Sequence, residues 1–139
     1  MDIKVRYLGA KKFEMTTRGL QVLSEQPVDS DGADSAMTPT ELFLSSLGAC
    51  SAHCAAEYLH ARRLPDEGLE IHVAGEKGDN PARIVSLRFE VIAPGLTQRH
   101  RDGILRAVDA CLLKHTLNKP PHMEVKVVSA FEAAEAANV

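Results

Sequence analysis

The amino-acid sequence predicts an α+β fold, and three observations predict it. Alternating apolar and polar residues open the chain, a second alternating pair of segments lies near its middle, and two separate helical stripes each carry a cysteine. The chain has 139 residues, 45% of them hydrophobic and 25% charged, a size and balance that suit one packed core. A single domain over residues 1–139 is therefore expected.

At the start, Ile3, Val5 and Tyr7 alternate with Asp2, Lys4 and Arg6, the period of two expected of a half-buried strand over about residues 2–8. Strands at about 11–16 and 20–25 follow, joined at Arg18-Gly19, where glycine tolerates the positive φ of a tight hairpin turn. From Pro27 to Met37 the chain is small, polar and acidic, which reads as an exposed loop.

The pattern changes at Thr38. A capping threonine, Pro39 at the first helical position and Glu41 three residues after the cap together spell a capping box. The helix is expected to run to Arg63, because Phe43, Leu47, Cys50, Cys54 and Tyr58 recur at intervals of four, three, four and four. Pro65 forbids continuation just past the basic Arg62-Arg63 end. Residues 69–75 and 83–92 alternate around Gly78, Asp79, Asn80 and Pro81 and predict a hairpin. A second helix is expected from near Thr97, with Ile104, Val108, Cys111 and His115 on one face, and Gly103 marks an irregular or closely packed start. Lys119-Pro120-Pro121 ends it, a last strand is expected over 123–129, and the alanine-rich tail reads as a short helix or a frayed end.

Net charge of −3 and a pI near 6.1 give no electrostatic case for a nucleic-acid partner. Arg62-Arg63 and Arg99-His100-Arg101 are the tight basic clusters, and neither is accompanied by stacking aromatics. Nowhere do 18 apolar residues run together, and the charged start does not resemble a signal peptide, so a cytoplasmic protein without membrane insertion is expected. Three cysteines are an odd number, which suits reduced thiols better than a disulfide framework. Cys50, His53, Cys54, Cys111 and His115 are residue types that zinc prefers, but their spacing provides no metal site and no cofactor is indicated. Cys54 reads as packing, and His60, His72, His100 and His122 as surface or edge residues.

The segment TPTELFLSSLGACSAHC, followed by AVDACLLKHTL and then PPHMEVKV, resembles the OsmC/Ohr family of osmotically inducible and organic-hydroperoxide-resistance proteins, in its general OsmC-like branch. The resemblance covers nearly the whole chain and implies an intertwined homodimer with two active sites at the subunit interface. On the family pattern Cys50 aligns with the peroxidatic cysteine and Cys111 with the resolving one, and Arg18 and Glu41 fall to the catalytic cation and its acidic partner. The resemblance further implies reduction of an organic hydroperoxide through a Cys50 sulfenic acid and a Cys50–Cys111 disulfide, recycled by a dithiol such as dihydrolipoamide. The alternative is a non-catalytic OsmC-like protein that binds a small molecule or senses redox state. Two features depart from the hydroperoxide-resistance branch. Its acid directly follows the helix-entry proline, where this chain has Thr40, and its Cys-Pro-x-Ser is here Cys111-Leu112-Leu113-Lys114.

Overall fold

A computed structural model of the chain describes residues 1–129. Three antiparallel strands, β1 (Lys4–Gly9), β2 (Lys12–Thr17) and β3 (Leu20–Glu25), form a meander in that order. Both of its turns are two residues long, since Gly9 pairs with Lys12 and Thr17 with Leu20. Ala10 and Lys11, then Arg18 and Gly19, all have positive φ, as the primed turns matching strand twist require.

Helix α1 (Pro39–Ala61) begins as the sequence predicts. Thr38 Oγ1 accepts from the Glu41 N–H at 3.2 Å and the Glu41 carboxylate accepts from the Thr38 N–H at 3.2 Å, so two otherwise unpaired donors are satisfied reciprocally. At the far end Arg63 turns left-handed and the Leu64 N–H returns to the Leu59 carbonyl at 2.9 Å, closing the helix. The hairpin β4 (Glu70–Gly78) and β5 (Arg83–Ile92) lies against it. Contact is close at two glycines: a side chain on Gly48 would come within 3.2 Å of Val73, and one on Gly75 within 3.2 Å of Leu44.

The core joins α1 to the hairpin and to α2 (Arg101–Asp109) through Ala55, Tyr58, Leu59, Ile104 and Val108. Gly103 earns its place by packing, because a methyl group there would run into the Tyr58 phenol. That phenol meets His100 Nδ1 at 3.0 Å, and the Arg62 guanidinium lies 3.8 Å from the ring centroid on the other side. His100, expected at the surface or an edge, is thus half-buried and tied to the core.

Several expectations require correction. The buried face of α1 is Leu47, Ser51, Ala55, Tyr58 and Leu59. At about 100° per residue, it is turned from the predicted stripe, and Cys50 and Cys54 sit at its rim. The second helix is not continuous: a turn at Gln98–His100 leads into α2, the chain leaves helical geometry at Cys111, and α3 (Leu112–Asn118) starts anew. The last strand does not form among the described residues. Over 123–129 the alternation is present but no strand edge lies beside it, and without a ladder partner an extended segment is not a strand, so Val125 is left 94% exposed. The predicted half-burial of the first strand is likewise absent, with Val5 and Tyr7 exposed on β1. The tail beyond residue 129 lies outside the described residues.

The acidic loop after β3 is organised by one carboxylate. Glu25, only 2% exposed, accepts from the N–H groups of Ala33 and Ser35, each at 3.0 Å, and from the Ser35 hydroxyl. The Ser35 hydroxyl first, and then the two N–H groups, hold its carboxyl below the ordinary 4.5, against the opposing effect of burial. A carboxyl lowered on folding stabilises above its unfolded pKa and loses that contribution as pH falls through the folded one. Glu25→Gln should therefore lower the urea midpoint most at neutral pH, and the gap to wild type should close as the pH is taken below about 4. Denaturation curves across that range would show it, and a pH-independent gap would rule out this origin.

Candidate active site

Cys50 stands midway along α1, half-buried, and Cys111 in the break between α2 and α3 is 0% exposed. The break is what aims the second thiol. With φ −63 and ψ 133, Cys111 is extended at the position that caps α3, and its carbonyl accepts from the His115 N–H at 3.0 Å to start the new helix. The two thiols meet there, close enough for Cys50 to hydrogen-bond Cys111, and both are free.

The surroundings treat the thiols differently. Burial pushes the Cys111 thiol up, but the Cys50 hydrogen bond, the N–H groups of Lys114 and Leu113 and the Lys114 ammonium outweigh it, so Cys111 ionises below the usual thiol value of 9.0. Cys54 goes the other way. Burial first, and then repulsion from negative charge on Cys111 and Cys50, raise it above 9.0, with Lys114 pulling weakly against them.

Arg18 and Glu41 are not brought to the thiols within one chain. Arg18 is exposed at the tip of the β2–β3 hairpin, and the Glu41 carboxylate is engaged in the helix cap. Among the described residues no ion pair joins them to each other. A lysine, Lys114, stands three residues past Cys111. Its side chain is only 14% exposed, with Nζ 3.2 Å from Asp109 Oδ1 and 4.0 Å from the Phe89 ring centroid. The spacing from Cys111 was visible in the sequence; that β5 would supply an aromatic face to hold the lysine inward was not.

On the side of α1 that carries Phe43 lies an open hollow of about 570 Å³ lined by Pro39, Thr40, Phe43, Ile84, Leu87 and Leu117, about two helical turns before Cys50. Phe43 precedes Cys50 by seven residues, about two helical turns, so both project the same way. Among the described residues no group of three His, Cys, Asp or Glu side chains is arranged to hold a metal ion, and no helix is long and apolar enough to cross a membrane.

An α+β chain with a capped central helix and two opposed thiols defines a class, and the comparisons with known proteins name it. The chain belongs to the OsmC-like protein family, whose model matches residues 32–126. No curated protein matches the sequence. Among solved structures it is similar to an OsmC-like protein from Mycoplasma pneumoniae, with 19% identity and a TM-score of 0.70 over 86% of this chain and 87% of that one. It is also similar to an organic hydroperoxide resistance protein OsmC from Legionella pneumophila, at 15% identity and TM-score 0.65 over 84% and 89% of the two chains. A third is an organic hydroperoxide resistance protein from Elizabethkingia anophelis, at 16% identity and TM-score 0.66 over 86% and 90%. At these identities the likeness is one of fold.

Contact between the two thiols makes a specific pairing expected. One equivalent of hydroperoxide should join Cys50 to Cys111 and leave Cys54 free to alkylate. Tandem mass spectrometry can place the link, since Ser51, Ala52 and His53 separate the two cysteines of α1; a Cys54 linkage would refute the pairing.

Proposed function

We propose that this chain is a thiol-dependent peroxidase that reduces organic hydroperoxides through Cys50 and Cys111. The observation that carries the reading is the pair of opposed thiols, one half-exposed and the other sealed. Cys50 is the sulfur a peroxide can reach. As a thiolate it attacks the terminal oxygen of the hydroperoxide, the O–O bond breaks, and the products are a Cys50 sulfenic acid and an alcohol. Cys111 then attacks the Cys50 sulfur, a disulfide forms, and hydroxide leaves as water. The apolar hollow beside Phe43 suits the organic part of such a substrate.

Burial also orders the return step. An external dithiol, of which dihydrolipoamide is an example, meets the Cys50 sulfur and expels Cys111, whose lowered pKa suits it to leave as a thiolate. Three free thiols suit the reducing conditions of a cytoplasm.

Assembly belongs to the same reading. Val5 and Tyr7 on β1, Leu20 and Val22 on β3, and Met123, Val125 and Val127 near the end of the described chain are large apolar residues that a single copy leaves exposed. A second copy covers them in the homodimer we propose, where the alternating 123–129 segment gains a strand partner and the β2–β3 hairpin carries Arg18 toward the other copy's thiols. Light scattering at micromolar concentration should give twice the chain mass, and a stable monomer would reject the dimer.

The exposed position of Arg18 favours a second reading, a non-catalytic OsmC-like protein that binds a small molecule or senses redox state. Turnover separates the two. With cumene hydroperoxide and dihydrolipoamide the wild type should consume peroxide, and Cys50→Ser should abolish consumption. Cys111→Ser should react once and then stall as a sulfenic acid or overoxidise. A wild type that consumes no hydroperoxide leaves the second reading in place.

A further inference from the structure

The groove between α1 and α2 has features that the thiol chemistry does not use. An open hollow of about 650 Å³ lies there, with Ala61, Gly103, Ala107 and Ala110 as a small, apolar floor. Cys54 and His53 stand on its wall, and Arg62 and Arg106 bring two guanidinium groups to the same hollow. Small residues between packed helices are ordinary. What sets this groove apart is how Arg62 is held. Its guanidinium lies 3.8 Å from the centroid of the Tyr58 ring and donates to the Tyr58 carbonyl at 3.4 Å. Tyr58 is buried in turn, with its hydroxyl 3.0 Å from His100 Nδ1 and its ring against Gly103. A guanidinium carries five N–H donors, so most of the fork is still available. Arg62 is an exposed residue with a confined head, and a cation confined in advance loses less freedom when a ligand arrives.

Charge in the hollow is unbalanced. Arg106 is exposed on α2, and among the described residues neither arginine has a carboxylate in ion-pair contact. The acidic residue of the lining, Glu57, comes four positions after His53, so those two are neighbours on the surface of α1. Two arginines therefore face an apolar floor with their charge unmet by the chain.

We propose that this hollow binds a small organic acid, a carboxylate on an apolar body of several carbons. The carboxylate accepts hydrogen bonds from Arg62 and Arg106, and the body lies over Ala61, Ala107 and Ala110 toward Cys54. Planar guanidinium forks match the two oxygens of a carboxylate, and the alanine floor accepts methylene groups while offering no polar partner. An inorganic anion would leave the floor uncovered, and an amine would be repelled by the arginines. The site goes beyond the peroxidase reading and does not depend on it, since neither Cys50 nor Cys111 lines the hollow.

Octanoate is the probe. Equilibrium dialysis of the full chain against radiolabelled octanoate should show one site per chain, and binding should weaken as salt is raised. Octanamide, which keeps the body and lacks the charge, should compete about tenfold more weakly or worse. Arg62→Gln and Arg106→Gln, both at exposed positions, should each weaken octanoate about tenfold, and Arg62→Lys should recover part of the loss because it restores charge without the fork. Alkylation of Cys54 at mildly alkaline pH, followed by tandem mass spectrometry, places the ligand. Octanoate should slow it in the wild type and leave it unchanged in the double variant Arg62→Gln/Arg106→Gln. No binding at millimolar octanoate overturns the proposal, as does octanamide that competes as well as octanoate or a double variant that binds like the wild type. Binding that leaves Cys54 alkylation unchanged also overturns it, because the ligand then sits elsewhere, for example in the hollow beside Phe43.

Discussion

The break in the chain at Cys111 is the constraint on which the site depends. Had Arg101 to Asn118 formed one helix, Cys111 would project from a helical face. The extended conformation there begins a new helix instead, and it leaves the sulfur sealed against α1 with the N–H groups of Leu113 and Lys114 turned toward it. Position and electrostatics of the second thiol thus have one origin in the backbone.

Around that break the three thiols are sorted by burial and charge rather than by type. Cys111 is the most buried and yet its thiol is lowered from the usual value, because hydrogen bonds and a lysine outweigh desolvation. Cys54, one turn beyond Cys50, has desolvation without those donors and feels its neighbours' negative charge besides. The same site therefore holds an ionisable thiol and a quiet one. Cys50 is half-exposed, whereas Cys111 is sealed from solvent.

The elements far from the thiols fall into two groups. The α1 helix, the β4–β5 hairpin and α2 pack closely enough that Gly48, Gly75 and Gly103 are needed where the backbones or Tyr58 come near. The β1–β3 meander and the 123–129 segment carry apolar alternation that finds no cover in one copy. Their patterning specifies a face and a period, and a single copy leaves that face exposed.

Much of the fold was legible in the residues. The Arg18-Gly19 turn, the Thr38 capping box, the stop at Pro65 and the β4–β5 alternation are local, since each is written in neighbouring side chains and in backbone preferences that act over a few positions. The family motifs likewise singled out Cys50 and Cys111. Other features were settled by contacts between distant segments. No proline or glycine near Cys111 announces the break, at which the cysteine is fully buried. The rotation of the buried face of α1 follows from where β4 and α2 approach it. Lys114 turns inward because Phe89, 25 residues earlier, offers its ring. The sequence by itself determined where the main helix and the hairpins form, because periodicity and capping are local. Only the tertiary structure decided how the surroundings act on each thiol, with donors from α1 and α3 lowering Cys111 and burial raising Cys54, because ionisation answers to burial and to neighbours brought from separate elements.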